Sequence, residues 1–209
     1  MTDPFSRERV QAAYDAVADA YQATFGDDFA HLPLDRHMLD RTRPAAKKDL
    51  TLDLGCGTGS AGSYLKSRGA NVVGLDVSLG MLRHCGFPVC QGDMRDLPFG
   101  DHTFGAVVAY YSIQHVPRTE VATVLAEATR VLRYSGTLLV SAHLGEGEVF
   151  TKEFLGRTVP TIGGSLYSTS EISDQILSAG FQIQTHKVRG PLSHEYQSQR
   201  IYVLAERAA

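Results

Sequence analysis

Between Leu50 and Ala209, short β-branched runs alternate with segments of helical period. That alternation predicts a parallel sheet whose strands are joined by crossover helices. The predicted strands are Leu50 to Leu54, Asn71 to Leu75, Pro88 to Gln91, Phe104 to Ala109 and Thr137 to Ala142, each bounded by Gly, Asp or Pro. Their near-continuous apolar character belongs to strands buried on both faces. Thr119 to Leu132 is predicted helix, because Val121, Val124, Leu125, Ala128 and Leu132 recur at the spacing of one buried stripe. Ser135 and Gly136 end it and open the next strand. A later helix opens on a capping box, Ser168-Thr169-Ser170-Glu171, carries Ile172, Ile176 and Leu177, and stops at Gly180.

After Gly180, Phe181 to Gln184 and Ile201 to Leu204 read as two antiparallel strands separated by a polar stretch. Ahead of Leu50 the chain reads as helical. Tyr14, Val17, Ala18 and Tyr21 share one face, and a second amphipathic piece surrounds Leu34, Met38 and Leu39. Residues 1–44 are therefore expected to form a helical cap over the ligand end of a core spanning 45–209. The least patterned stretch is Leu144 to Leu166, rich in Gly and Thr, and a connection that long in a compact domain is usually a lid or a binding loop.

At 209 residues and 43% hydrophobic, the chain can bury one substantial core and is too short for two ordinary ones. No run approaches the ~20 apolar residues of a membrane helix. Asp3, Arg7, Glu8 and Arg9 stand where a signal peptide would be apolar, so a cytoplasmic protein without membrane contact is expected. A net charge of -3 gives no attraction to phosphate backbones, which argues against nucleic acid as a partner. Arg41, Arg43, Lys47 and Lys48 bracket Pro44 and read as a solvated linker. Cys56, Cys85 and Cys90 have no disulfide or zinc spacing, and His84 beside them lacks a second ligand cluster, so no metal is expected.

The chemistry concentrates at Asp53-Leu54-Gly55-Cys56-Gly57-Thr58-Gly59, where a buried strand meets a helix. Glycines there allow a sharp turn and let a ligand lie against bare main chain, at the end of an open α/β sheet where ligands bind. A dinucleotide fingerprint needs its third small residue one position later, and that slot holds Ser60, with Gly59 one place early. Pyrophosphate is thereby disfavoured. Asp76 closes the second strand about 20 residues on, where a carboxylate can accept both ribose hydroxyls. Asp93 and Met94 follow the third strand, with the Asp able to accept from an adenine amino group and the Met able to pack on the ring; a turn-forming Asp is the alternative.

These motifs, over nearly the whole chain, resemble the class I S-adenosylmethionine-dependent methyltransferases, especially the small-molecule branch related to quinone-biosynthesis enzymes. Asp53 to Gly59 resembles the family's first motif, Gly74 to Asp76 its second, Gly92 to Phe99 its adenine-contacting segment, and Phe104 to Val116 the strand and loop beneath the methyl group. Tyr134-Ser135-Gly136 replaces the family's common Pro-Gly-Gly turn. The resemblance implies a Rossmann-like, seven-stranded, mostly parallel sheet with the last strand antiparallel, helices on both faces and an N-terminal helical cap. It also implies S-adenosyl-L-methionine as cofactor and S-adenosyl-L-homocysteine as product. The cofactor-binding set it points to is Tyr14, Tyr21, Asp53, Gly55, Cys56, Gly57, Gly59, Asp76, Val77, Ser78, Met81, Asp93, Met94, Tyr110 and Tyr111. Tyr14 and Tyr21 match tyrosines that close over the methionine part of the cofactor, although at a period of seven they also fit plain helix packing. Cys56 reads as a small packing residue.

Methyl transfer needs orientation, water exclusion and, for a hydroxyl or carbon acid, a general base. His115, in the loop after the fourth strand, is the candidate base, with His143 a weaker rival; a His at that point also commonly orients a loop. Segment 144–167 is expected to be a lid over a small organic acceptor, with Arg157 and Arg189 as candidate partners for an acidic group. Two other functions share these features: an NAD(P)-dependent oxidoreductase and a non-catalytic S-adenosylmethionine-binding regulator. A monomer or homodimer is expected.

Overall fold

The computed structural model describes residues 3–26, 32–42, 48–193 and 195–208. The centre of the basic linker around Pro44, and with it the expected boundary between cap and core, lies outside them. In chain order the elements are α1 (Arg7–Phe25), α2 (Pro33–Asp40), β1 (Leu50–Leu54), α3 (Ser60–Ser67), β2 (Asn71–Asp76), α4 (Leu79–Leu82), β3 (Val89–Gln91), β4 (Phe104–Tyr110), α5 (Val121–Val131), β5 (Leu132–His143), β6 (Glu148–Phe154), β7 (Arg157–Ser165), α6 (Thr169–Ser178), β8 (Phe181–Arg189) and β9 (Arg200–Arg207).

Seven strands form one sheet in the order β3-β2-β1-β4-β5-β9-β8. β1 to β5 are parallel, and β9 runs antiparallel to both β5 and β8. The order reverses at β1, and the carboxyl ends of the paired strands β1 and β4 mark the switch point at which α/β sheets bind ligands. Central β4, Phe-Gly-Ala-Val-Val-Ala-Tyr, is buried through Ala109, as its unbroken apolar run requires. On one face α5 lays Val121, Val124, Leu125, Ala128 and Val131 against the sheet, each at most 1% exposed. Each large aliphatic side chain buried this way contributes about 1.5–3 kcal/mol. On the other face Met38 and Leu39 of α2 meet Ala61 and Leu65 of α3 and Val72, Val108 and Leu139 of the sheet. The α6 capping box forms as read, with Ser168 Oγ accepting from Glu171 N and the Glu171 carboxylate accepting from Ser168 N.

Two segments differ from their sequence reading. Residues 133–136 loop out within β5: Phe104 pairs with Leu132 while Ala106 pairs with Thr137, and Ser135 takes a φ of 57°. That excursion replaces the expected clean turn at Tyr134-Ser135-Gly136. The stretch from Leu144 to Leu166 is also not an unpatterned loop, since most of it is the β6–β7 hairpin. Its two-residue turn, Leu155-Gly156, has φ of 49° and 73°, the left-handed pair that matches strand twist. The hairpin packs on α1, where Val159 and Ile162 join Val10, Ala13 and Val17. It thus roofs the carboxyl ends of the parallel strands.

Candidate active site

The glycine turn after β1 is held from several sides. The amides of Gly55 and Cys56 both donate to Leu75 O, at 2.7 and 2.9 Å, and Gly57 N donates to Asp76 Oδ2 at 2.8 Å. Gly55 has φ +72°, and a Cβ there would lie 2.4 Å from Ser112 Cβ. Gly57 has φ +54°, and a Cβ there would meet nothing nearer than Met81 Cε at 3.7 Å, because it would project into open space. That space is a cavity of about 870 Å³, toward the upper end of the range for sites that enclose drug-sized ligands. Gly59 serves a different purpose. A Cβ there would strike Cys85 Sγ at 2.8 Å and Phe87 Cε1 at 2.9 Å, so this glycine permits close packing of α3 and does not line the cavity. Cys56 sits in that packing too, its thiol pushed up in pKa by a hydrogen bond with Cys85 and by burial.

Two carboxylates face this end of the cavity, one buried and one half-buried. Asp53, 1% exposed, accepts from Gly62 N at 2.8 Å, yet burial outweighs that bond and lifts its pKa to about 7. Asp76 is also pushed up by burial, with the amides of Ser78 and Gly57 holding it partly down. Arg200, at the far end, is the one Lys or Arg among the described lining residues. The glycine end is therefore suited to a cationic ligand and unsuited to a pyrophosphate.

The sign of the Asp53 effect can be tested. An acid whose folded pKa lies above its unfolded value of ~3.9 holds its proton longer in the folded state, so folding loses stability as pH rises from about 4 to about 7. By the 1.36 kcal/mol per unit rule the loss is on the order of 4 kcal/mol. Asp53→Asn is expected to raise the ligand-free melting temperature at pH 8 by roughly 5–15 °C, and the gain should vanish near pH 4. A gain independent of pH would remove the carboxylate's charge as its cause.

The remaining predicted residues divide. Tyr14, Tyr21, Val77, Met81, Met94, Tyr110, Tyr111 and His115 all line the cavity with the glycine turn. Ser78 does not. It is wholly buried, donates from Oγ to Asp15 Oδ1 at 2.6 Å and accepts from Met81 N, clasping α1 to α4. Asp93 is likewise absent from the main cavity wall and lines a small neighbouring recess. Both of its oxygens accept from Arg95, at 2.9 and 2.6 Å, and although burial pushes its pKa up, these bonds win and hold it below the usual range.

His115 is not positioned as a free base. Its Nδ1 lies 3.0 Å from Gly163 O, and a carbonyl can only accept, so Nδ1 carries the hydrogen. Nε2 must then accept, and it does so from Tyr14 Oη at 2.7 Å. Desolvation in this half-buried position lowers the pKa of the ring and favours its neutral form. The arrangement ties α1, the loop after β4 and the hairpin together, which is an orienting role.

Tyr110 and Tyr111 are anchored by a buried network. Tyr110 Oη donates to Asp35 Oδ1 at 2.5 Å, and Tyr202 Oη donates to the same oxygen at 2.6 Å while bonding Tyr111 Oη at 2.5 Å. Tyr111 has φ +51°, a cost of about 1–2 kcal/mol, and is held there by bonds from its amide to Ser141. Arg189 belongs to the network: it donates to Asp35 at 3.1 Å and to both oxygens of Glu195 at 2.7 and 2.8 Å. Arg189 is thus committed to protein carboxylates, and Arg157 at the hairpin turn lies off the cavity wall, so neither is placed to hold an acidic substrate. The sequence reading missed Thr58 and Gln114, which line the cavity and whose buried Oγ1 and Oε1 have no partner among the described residues. It also missed the wall supplied by Phe25, Glu195, Tyr196 and Arg200.

The sheet order, the crevice at its switch point and a glycine turn beside a strand-ending Asp define a Rossmann-like methyltransferase fold. Residues 52–140 match the family described as a methyltransferase domain. A demethylmenaquinone methyltransferase of Corynebacterium urealyticum is 33% identical over 175 residues, 78% of this chain and 73% of that enzyme. Two solved structures illustrate the fold. The cyclase SpnF aligns with TM-score 0.76 at 15% identity, covering 100% of this chain and 98% of its own. A possible histamine N-methyltransferase of Thermotoga maritima aligns with TM-score 0.69 at 21% identity, covering 94% and 99%. The chain belongs to the class I S-adenosylmethionine-dependent methyltransferases, similar to the quinone-biosynthesis enzymes, and transfers a methyl group to a small-molecule acceptor. No helix among the described residues is long and apolar enough to cross a membrane.

Proposed function

We propose that this enzyme methylates the ring of an aromatic acceptor of the kind named in its relatives, demethylmenaquinone in its reduced form. The observation that carries this reading is one continuous cavity, whose wall joins the glycine turn, Asp53 and Asp76 to the aromatic group Tyr111, His143 and Tyr196, with Phe150 and Phe154 of the hairpin over it. The glycine end fits S-adenosylmethionine: Gly57 leaves a cradle that a Cβ would fill, and two carboxylates favour a cation. When bound, that cofactor supplies an electrophilic methyl group on a sulfonium and leaves as a neutral thioether. Asp76 would take the ribose hydroxyls, Met81 and Met94 would pack on the base, and Tyr14, oriented by His115, would border the methionine part. Asp93 would act at one remove, through the Arg95 pair that shapes the recess beside Met94. The α1 cap, residues 1–44 in the sequence reading, and the hairpin would exclude water and hold the acceptor ring.

Because only ligands of the native state raise a melting temperature, S-adenosylmethionine and S-adenosylhomocysteine at ~100 times their Kd are expected to raise it by roughly 5–10 °C, and NAD not at all. With methyl-labelled cofactor and reduced demethylmenaquinone, label should appear in menaquinone. A cofactor-induced shift without labelled product would leave the methyltransferase and remove this acceptor.

A further inference from the structure

The acceptor end of the cavity contains one ring nitrogen that the fold does not use. His143 ends β5, half-buried in the wall, with Nδ1 2.7 Å from Ser198 Oγ. Its Nε2 has no partner among the described residues, in contrast to His115, where both nitrogens are engaged. Tyr111 lies alongside with ring centroids 5.2 Å apart and an interplanar angle of 34°, and Tyr196 meets the ring edge-on at 5.6 Å. The neighbouring titratable groups are committed elsewhere: Tyr111 Oη to Tyr202, and both oxygens of Glu195 to Arg189.

We propose that His143 is a catalytic residue whose Nε2 receives the proton of an aryl hydroxyl on the acceptor ring, seated beside Tyr111 and Tyr196. In that step the O–H bond breaks, an N–H bond forms at Nε2, and the electron pair stays on the acceptor oxygen, where conjugation makes the ring nucleophilic. Ser198 fixes the ring so that Nε2, not Nδ1, meets the hydroxyl. In the tautomer this requires, Nδ1 donates to Ser198 Oγ and Nε2 carries no hydrogen, while the surroundings of the ring disfavour a second proton. Burial first, then Arg200 on β9 and Arg189 on β8 lower its pKa, Glu195 opposes them, and the result is about 4. The ring is therefore uncharged throughout the neutral range, and because so weak a base does not strip a phenol outright, the proton moves to Nε2 as methyl transfer acidifies the hydroxyl. The inference rests on the aromatic-acceptor reading above, and it narrows that reading to rings carrying a hydroxyl.

Two measurements test it. In protein carrying ¹⁵N-histidine, 1-naphthol is expected to shift His143 Nε2, whereas naphthalene, which lacks the hydroxyl, is not. In the free protein the same ring should titrate with a midpoint near 4. No response to 1-naphthol, or an equal response to both compounds, overturns the proposal. This readout does not require turnover, so a failure to methylate reduced demethylmenaquinone alongside an intact naphthol response would discard that acceptor and leave His143 in its role. In the turnover assay, His143→Gln places an amide near the Nε2 position that can accept a hydrogen bond but not the proton. Its kcat is expected to fall by about 10²–10⁴-fold, with the acceptor KM and the S-adenosylhomocysteine affinity changed by less than about threefold. A kcat within about threefold of the parent would refute the assignment.

Discussion

Asp76→Asn is expected to weaken S-adenosylmethionine binding by at least about 100-fold, as read by calorimetric titration with the cofactor and with S-adenosylhomocysteine. Hydrogen bonds to a charged group contribute about 1.5–3 kcal/mol each, and in the proposed cofactor pose Asp76 would accept from two ribose hydroxyls. Asparagine keeps one neutral acceptor oxygen, so one bond is lost and the other weakened, a loss of about 3–4 kcal/mol, and each ~1.4 kcal/mol is a factor of ten. The same carboxylate also receives Gly57 N at 2.8 Å and Ser78 N at 2.9 Å, so the substitution loosens the turn on which the cofactor would lie. Both effects act in the same direction on binding. On the ligand-free fold they oppose one another, because removing a charge whose pKa burial has already raised recovers part of what the lost amide contacts cost. The variant should consequently melt close to the parent without ligand and respond far less to cofactor. A Kd within about threefold of the parent would take Asp76 out of the site.

Much of this architecture is legible because it is written in local pattern. The apolar runs of β1, β2 and β4, the stripe on α5 and the capping box of α6 each lie within a few neighbouring residues, and each forms within one or two residues of its predicted place. The glycine turn and Asp76 are legible for the same reason, since a strand end and its following turn are contiguous. What escapes is set by contacts between distant residues. Tyr14 and His115 are 101 positions apart, so their bond, and the loss of His115 as a free base, had no local signal. Asp35 is wholly buried on an otherwise amphipathic helix because Tyr110, Tyr202 and Arg189, 75 to 167 positions away, arrive to satisfy it. The β6–β7 hairpin was hidden differently. Its turn is Leu155-Gly156, with a Leu at positive φ in place of the Asn or Asp that marks such turns, and Pro160 and Gly163-Gly164 interrupt the alternation of β7.

Part of the hairpin's composition has a reason once it is seen in place. Gly163 donates from N to Pro4 O at 3.0 Å, accepts from His115 at O, and lies so close to Phe5 that a Cβ would be 2.4 Å from its ring. A strand that reads poorly in isolation is one that presses its backbone against both the N-terminal segment and the loop after β4. The Gly-rich wording that weakens the strand signal is what allows the roof to close on the site.

The two glycines of the turn should separate folding from binding. Gly55→Ala combines a left-handed backbone, at a cost of about 1–2 kcal/mol, with a Cβ 2.4 Å from Ser112 Cβ, where overpacking adds about 1–3 kcal/mol. The ligand-free melting temperature is expected to fall by roughly 5–15 °C, at 2–4 °C per kcal/mol for a chain of this size. Ser112 cannot easily give way, because its Oγ donates to Leu54 O at 2.6 Å and its loop carries Gln114 and His115 into the cavity. Gly57→Ala bears the backbone cost alone, since its nearest neighbour would be Met81 Cε at 3.7 Å. Its added methyl group stands where the cofactor would lie against the main chain. That variant should lose only a few degrees of ligand-free stability and at least about tenfold in S-adenosylhomocysteine affinity, the overpacking penalty appearing on binding in place of folding. Equal melting losses in the two variants with unchanged affinity in the second would mean that the open side of Gly57 is not where the cofactor sits.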